Sequence, residues 1–231
     1  MQGPPESGPS LLRTVGLGRT VPNKILVENA TFAVERGQTL AIVGPSGSGK
    51  SSLLRLLNRL DEPTSGTMFL GGVDYRQIAP RELRRRVGMV MQRPYLFPGT
   101  VESNLQFGPR QRGAELSRGR VEELLSAVGL TGYAGRDVGN LSGGEAQRIS
   151  FARTLANEPE VVLLDEPTSA LDEDAKQGVE GLMRDVVAER ELTCVLVTHD
   201  LAQAARLAGR ALLLAAGRIV KSGTVEEVLR A

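Results

Sequence analysis

GPSGSGKS, residues 44–51, fits the pattern GxxxxGK[ST] and governs how the surrounding chain is interpreted. TLAIV precedes it as a short buried strand and SSLLRLLNRL follows it as an apolar-striped helix, which is the context that this motif requires. The glycines let the backbone curl so that its N–H groups face phosphate oxygens. Lys50 is predicted to reach the β- and γ-phosphates of a nucleotide, and Ser51 to ligate Mg²⁺. The nucleotide-binding residues predicted from this segment are Gly44, Pro45, Ser46, Gly47, Ser48, Gly49, Lys50, Ser51 and Ser52.

The composition is that of a globular protein with a substantial core. Of 231 residues, 41% are hydrophobic and 24% are charged, and this length fits one domain with an inserted lobe. The net charge of +1 provides no general attraction to nucleic acid, so we expect no nucleic-acid partner. The single cysteine, Cys194, lies in the apolar run TCVLVT and is predicted to be a buried thiol.

The sequence contains no run of about 18 apolar residues, so no segment is expected to span a membrane. Its beginning, MQGPPESGPS, lacks the basic and apolar regions of a signal peptide, and its Pro, Gly and Ser content predicts a disordered tail over residues 1–10. We therefore expect a cytoplasmic protein, held at a membrane only through a partner.

Strand-like and helical segments alternate on both sides of a helical middle. ILVENATFAVE alternates apolar and polar residues like a half-buried strand, whereas VVLLDEP, LTCVLVTH and RALLLAAG are apolar runs typical of buried parallel strands. Residues 101–157 contain helical patterns and no convincing strand. The alternation predicts an α/β fold with a parallel sheet, with a helical lobe inserted at about 101–157 and the whole domain at 11–231.

Two acids follow the strand VVLLD. Because Asp165 ends a buried strand, its carboxylate is expected at the edge of the sheet beside the phosphate loop, where it can hold Mg²⁺. Glu166, the next residue, points elsewhere and can orient a water for attack on the γ-phosphate.

Two further polar residues follow predicted strands. His199, the only histidine, comes after LTCVLVT and is expected near the γ-phosphate, where it would help to align Glu166 and the water. Gln92 follows VGMVM, and its neutral amide is predicted to touch Mg²⁺ or the attacking water, although a plain loop position is the alternative. The predicted catalytic residues are thus Glu166, His199, Gln92 and Lys50, and the metal ligands are Ser51, Gln92 and Asp165.

A second glycine-rich turn occurs in LSGGEAQR, residues 141–148. Ser142, Gly143 and Gly144 lead into a helical segment, so they are expected at a helix N-terminus, where free N–H groups attract anions. One chain therefore carries two candidate phosphate sites.

Together these segments resemble the ATP-binding cassette (ABC) ATPases over nearly the whole chain, from about Leu11 to Leu229. The matching motifs are, in chain order, GPSGSGKS (Walker A), Gln92 (Q-loop), LSGGEAQR (signature), VVLLDE (Walker B), Ser169–Asp172 (D-loop) and His199 (switch histidine). The resemblance implies a P-loop NTPase core with a parallel sheet, an N-terminal antiparallel β subdomain and an inserted α-helical subdomain. It also implies ATP and Mg²⁺ as cofactors.

The resemblance explains the second turn, because ABC ATPases pair head to tail. It implies a second copy of the chain, or a paralogue, whose Ser142, Gly143 and Gly144 would complete the other subunit's ATP site. Asp172 would lie at this interface. The family often stacks adenine on an aromatic residue that GLGRTVPNK lacks, so Val21 or a neighbour is expected to cover the base.

A polytopic transmembrane permease is the second implied partner. In transporters of this family the region after Gln92 helps to line the docking groove, which predicts docking near Gln92–Leu105 through the apolar triplet Tyr95, Leu96 and Phe97, with core packing as the alternative for Phe97. LFPGT followed by VESN resembles phosphate importers and a group linked to metal tolerance, which indicates an inorganic ion as cargo. A soluble ABC ATPase of the iron–sulfur assembly type is the alternative function.

Overall fold

The computed structural model describes residues 10–230, apart from the side chain of Asp174. Most of the predicted disordered tail, residues 1–9, lies outside the described residues, and Ser10 begins the first strand. The strands are β1 (Ser10–Val21), β2 (Lys24–Glu35), β3 (Thr39–Val43), β4 (Ser65–Leu70), β5 (Val73–Asp74), β6 (Val87–Val90), β7 (Val161–Asp165), β8 (Thr193–Thr198), β9 (Arg210–Ala215) and β10 (Arg218–Thr224). The helices are α1 (Lys50–Leu57), α2 (Pro80–Arg86), α3 (Val101–Arg110), α4 (Arg118–Ala127), α5 (Gly143–Leu155), α6 (Glu173–Glu189), α7 (Leu201–Leu207) and α8 (Val225–Leu229).

The larger sheet has six strands in the order β10-β9-β3-β8-β7-β6. β9, β3, β8, β7 and β6 are parallel neighbours, and β10 pairs antiparallel with β9 at the edge. Short apolar strands become buried on both faces when helices cover them, and β8 is buried along its full length. The predicted α/β fold with a parallel sheet is confirmed.

The parallel register aligns the ends of the central strands. Val43, the last residue of β3, is opposite Thr198 of β8, and Asp165 of β7 is opposite Val197. The segments that follow β3, β6, β7 and β8 therefore leave the sheet at one edge, where ligands bind in open α/β folds.

The smaller sheet is antiparallel, with the order β2-β1-β4-β5. β1 was not predicted as a strand from the sequence, because its pairing with β2 shifts register repeatedly and its apolar alternation is broken. Gly16 lies in this stretch at φ 60°, a conformation that favours glycine. β10 was missed for a different reason: this edge strand, RIVKSGT, is mostly exposed and polar.

The residues between β6 and β7 form a helical lobe built on α3, α4 and α5. The core of the lobe contains Leu105, Leu124 and Phe151, each fully buried. Thr100 caps α3 by accepting a hydrogen bond from Ser103 N, and Ser117 caps α4 in the same way.

One prediction about an individual residue is confirmed. Cys194 is buried in β8, and burial raises the pKa of its thiol to about 12. Within residues 10–230, no helix has both the length and the hydrophobicity required to cross a bilayer.

Candidate active site

The phosphate loop connects β3 to α1. Gly44 has φ 149°, and a Cβ on it would lie 2.1 Å from Leu214 O; Gly49 has φ 103°, and its Cβ would lie 2.3 Å from Leu26 O. Both positions therefore require glycine for space as well as for conformation. Because Gly49 has no side chain to cap α1, the first N–H groups of this helix stay available to a bound anion.

The Lys50 side chain crosses the loop. Its ammonium donates to Gly44 O at 2.8 Å and Pro45 O at 3.1 Å, and it lies 3.9 Å from Glu166 Oε1. Lys50 is only 5% exposed. The positive charge is thus fixed beside the loop before any phosphate arrives, so little reorganisation is needed on binding.

Ser51 and Asp165 come together as the sequence predicted. Ser51 Oγ donates to Asp165 Oδ1 at 2.8 Å, and burial raises the pKa of Asp165 while this hydrogen bond opposes the shift. A partly buried carboxylate beside a hydroxyl is an oxygen donor set that suits Mg²⁺, and a cation there would favour the ionised acid. Ser51 and Asp165 are therefore suitable ligands for Mg²⁺.

Glu166 is the centre of the predicted catalytic set. Its backbone has φ 44°, a left-handed conformation that is costly for a residue other than glycine, and its N–H donates to Val197 O at 2.9 Å. The side chain consequently departs from the course of β7. Its Oε2 lies 3.0 Å from His199 Nδ1 and 3.5 Å from Gln92 Nε2.

The structure therefore brings Glu166, His199, Gln92 and Lys50 together. Gln92 also donates to the hydroxyl of Ser169 at 2.9 Å, a contact that sequence reasoning missed. Because the carboxylate engages Nδ1 of His199, Nε2 is the ring nitrogen left for a substrate. The arrangement can hold a water against Glu166 and place positive or donor groups around a phosphate.

The cavity at this site has a volume of about 580 Å³. Its lining includes the phosphate loop, Gln92 and Glu166, together with Lys24, Ile25 and Leu26 from the start of β2. Val21, predicted to cover a base, does not line this cavity, since it lies on the other side of the β1–β2 turn. Its neighbour Ile25 lines the cavity and is 50% exposed, so Ile25 is the better candidate to cover the base.

The signature turn lines a different cavity, of about 430 Å³. Ser142, Gly143 and Gly144 face the D-loop there, including Asp172. Ser142 caps α5, and Asp172 caps α6 by accepting from Ala175 N at 2.9 Å. The two cavities share no lining residue.

A buried polar network behind the site was also missed. Glu180, with 4% of its side chain exposed, accepts hydrogen bonds from Thr168, Gln203 and Arg206 at 3.1, 2.6 and 2.6 Å. It joins the segment after Glu166 to α7, the helix that follows His199. The only signal in the sequence was a charge on the apolar face of an amphipathic helix.

Glu180→Ala is expected to lower the free energy of unfolding by about 2–3 kcal/mol, because the buried Gln203 amide and Thr168 hydroxyl lose their acceptor and the half-exposed Arg206 guanidinium loses its ion-pair partner. Urea unfolding measures the change. Glu189→Ala, on an exposed position of the same helix, is the control and should stay within about 0.5 kcal/mol of wild type. If the two variants are equally stable, the hydrogen-bond network of Glu180 does not stabilise the fold as proposed.

Comparison with known proteins agrees with this geometry. Residues 27–169 match the family model described as ABC transporter. The chain belongs to the ABC transporter family. It is 45% identical over 197 residues to ABC transporter I family member 17 of Arabidopsis thaliana, which covers 85% of this chain and 75% of that protein. It is 41% identical over 231 residues to Phosphate import ATP-binding protein PstB 2 of Natronomonas pharaonis, with 94% and 81% covered.

The fold comparison gives the same result for this ABC ATPase. A dimeric, post-hydrolysis structure of the ATP-binding cassette MJ0796, bound to ADP and Pi, superposes with a TM-score of 0.81 at 29% identity, covering 93% of this chain and 98% of that one. The predicted family, the P-loop NTPase fold and the ATPase activity are thereby confirmed. The chain is an ATP-binding and ATP-hydrolysing subunit of an ABC transporter, and the iron–sulfur assembly alternative is not favoured.

Proposed function

We propose that this ABC ATPase pairs head to tail with a second copy, so that each ATP lies between the phosphate loop of one subunit and the signature turn of the other. The observation that carries the proposal is the separation of these two elements within one chain, where they line different cavities. Charge-assisted hydrogen bonds from two sides stabilise a γ-phosphate more than bonds from one side. Because the signature turn lies away from the phosphate loop of its own chain, it can supply the second set of donors only to the nucleotide of another subunit. ATP then favours the closed pair, and hydrolysis removes that preference.

Within each composite site we assign the residues the roles that the sequence predicted. Ser51, Asp165 and Gln92 would hold Mg²⁺, which supplies neutralisation of phosphate charge when bound. Lys50 binds the β- and γ-phosphates, and Glu166 accepts the proton of the attacking water. His199, at 3.0 Å from Glu166, orients that carboxylate and donates to the γ-phosphate.

Gly144→Asp tests the pairing. A carboxylate in the signature turn should repel the γ-phosphate of the partner's nucleotide, while ATP affinity of the single subunit stays near wild type. We expect ATP-dependent dimerisation, measured by sedimentation, and ATPase activity to fall by about tenfold or more. A Cβ at Gly144 makes only an ordinary 3.7 Å contact with Ala175, so folding is expected to survive.

Gly119→Asp, on an exposed position of α4 that lines neither cavity, is the matched control. If Gly144→Asp dimerises and turns over ATP like this control, the signature turn does not meet nucleotide, and the head-to-tail proposal fails.

The second proposed partner is a transmembrane subunit that docks near Gln92–Leu105. Tyr95 is 64% exposed and contacts Phe97 edge-on at 5.5 Å, and Phe97 stacks on Phe107 at 4.2 Å. Phe97, Phe107 and Arg153 line a cavity of about 250 Å³. Exposed aromatic side chains beside a cavity are typical of interface anchors.

Leu96 requires a correction to the predicted triplet. It packs against the core of the helical lobe, because the loop that exposes Tyr95 turns the next side chain inward. Polar substitution of Leu96 would therefore disturb folding and would not test docking.

The better test replaces both Tyr95 and Phe107 with alanine. ATPase activity of the isolated subunit should stay within about twofold of wild type, whereas transport by the reconstituted complex should fall by about tenfold or more. Val220→Ala, which changes an apolar side chain exposed at 57% on β10, is the control. Full transport by the double variant would place the docking surface elsewhere.

As cargo we propose an inorganic ion, such as phosphate or a metal. The support is the segment LFPGTVESN and the similarity to a protein named for phosphate import. Transport of radiolabelled phosphate by the reconstituted complex tests this choice directly.

A further inference from the structure

Glu145 places a negative charge inside the turn that is proposed to bind the γ-phosphate. It is the third residue of α5, directly after Gly143 and Gly144. A free carboxylate at this position would repel a phosphate. The structure shows how its charge is compensated and its side chain held.

The first restraint is a capping box at the start of α5. Glu145 Oε2 accepts from Ser142 N at 2.8 Å, and Glu145 N donates to Ser142 Oγ at 3.2 Å. This reciprocal pair fixes the backbone of the turn. It also consumes the N–H of Ser142, so that the donors left for an anion are the N–H groups of Gly143 and Gly144 and the hydroxyl hydrogen of Ser142.

The second restraint comes from outside the helix. Tyr133 Oη donates to Glu145 Oε1 at 2.7 Å, and Arg136 Nη1 lies 3.8 Å from the same oxygen. The Arg136 guanidinium covers the Tyr133 ring at 3.7 Å from its centroid. The hydrogen bond from Tyr133, followed by the one from Ser142 N, lowers the pKa of Glu145, so the acid stays ionised and both of its oxygens are engaged.

The segment that carries Tyr133 and Arg136 is itself anchored. Val101 N donates to Arg136 O at 2.9 Å, and Glu102 N donates to Ala134 O at 2.9 Å, which attach the segment to the first turn of α3. The phenol is therefore presented to Glu145 by a fixed part of the lobe.

We infer that Tyr133 and Arg136 are positioning residues of the signature turn. They hold the Glu145 carboxylate in the capping box and offset its charge. The N–H groups of Gly143 and Gly144 and the Ser142 hydroxyl can then donate hydrogen bonds to the γ-phosphate of ATP bound by the second copy. The inference rests on the proposed head-to-tail pairing. It predicts that Tyr133 contributes to ATP-dependent dimerisation only while residue 145 is negatively charged.

A double-mutant cycle tests this with Tyr133→Phe, Glu145→Gln and the double variant. The measured quantity is the ATP concentration that gives half-maximal dimerisation by sedimentation. Tyr133→Phe should raise it by about five- to tenfold, because one oxygen of the carboxylate loses a charge-assisted hydrogen bond. In the Glu145→Gln background the same substitution should change it by less than about twofold, since a neutral amide keeps the cap without the charge.

Salt provides a readout that a purely structural role would not move. The defect of Tyr133→Phe should shrink between about 0.05 M and about 0.5 M NaCl, because an uncompensated charge near the surface is screened. Tyr75→Phe, which removes a phenol hydroxyl far along the chain from this turn, is the control and should leave dimerisation unchanged.

The outcomes separate the two proposals. If the wild-type chain does not dimerise with ATP, the head-to-tail pairing fails. If it does, and Tyr133→Phe is silent or has the same effect in both backgrounds and at both salt concentrations, the inference about Tyr133 and Arg136 is overturned while the pairing stands.

Discussion

Glu166→Gln is expected to bind ATP with near wild-type affinity, to lose about 10²–10⁴-fold in turnover, and to accumulate as an ATP-bound dimer. An amide cannot accept the proton of the attacking water, yet it has nearly the same shape as the carboxylate. The Glu166 carboxylate lies 3.0 Å from His199 and 3.9 Å from Lys50. Removing its charge should leave the phosphate loop intact and even reduce repulsion of the γ-phosphate.

ATPase assays and sedimentation with ATP measure the two parts of this result. Glu158→Gln, which alters an exposed glutamate, is the matched control and should behave as wild type. Turnover of Glu166→Gln at the wild-type rate would remove Glu166 from the role of general base. Slow turnover without dimer accumulation would support Glu166 as the general base but would contradict the proposed ATP-dependent pairing.

Lys50→Ala is expected to weaken ATP binding by about tenfold to a hundredfold and to abolish measurable turnover, because a charged donor to the phosphates is lost from a largely buried position. Lys50 is 5% exposed, and its ammonium is held by Gly44 O and Pro45 O. Alanine leaves these carbonyl groups without their donor and gives the phosphates no replacement.

Titration with a fluorescent ATP analogue measures the change in affinity. Lys221→Ala removes an exposed ammonium from β10 and serves as the control. Wild-type affinity in Lys50→Ala would contradict the assignment of residues 44–51 as the phosphate loop.

The sequence predicted the sheet edge well because its evidence was local. Asp165, Glu166 and His199 each follow a short apolar run, and parallel pairing brings the ends of such runs to one edge. The glycines of the phosphate loop were equally readable, since only glycine fits positions as crowded as Gly44 and Gly49.

The missed features depend on contacts between distant parts of the chain. β1 pairs through bulges that erase its alternation, and Ile25, a neighbour of Val21 across the β1–β2 turn, lines the cavity whereas Val21 does not. Leu96 turns into the lobe core while Tyr95 stays outside. The Tyr133–Glu145 hydrogen bond joins two segments, and no local sequence pattern predicts that they lie close together.

The pairing claim predicts that neither copy owns a complete catalytic centre. A lone chain presents its phosphate loop and its signature turn in two cavities with no common residue. In a head-to-tail pair, a Lys50→Ala subunit still offers an intact signature turn, and a Gly144→Asp subunit still offers an intact phosphate loop. A mixed pair should therefore contain one intact composite site.

The most direct measurement mixes these two impaired variants in equal amounts and follows ATP hydrolysis, with differently tagged subunits to verify that mixed pairs form. If all subunits paired at random, half of the pairs would be mixed, each with one intact site of two, so activity should recover to at most about a quarter of the wild-type rate. If mixed pairs form and the mixture stays as inactive as each variant alone, each site is built within a single chain, and the account is contradicted.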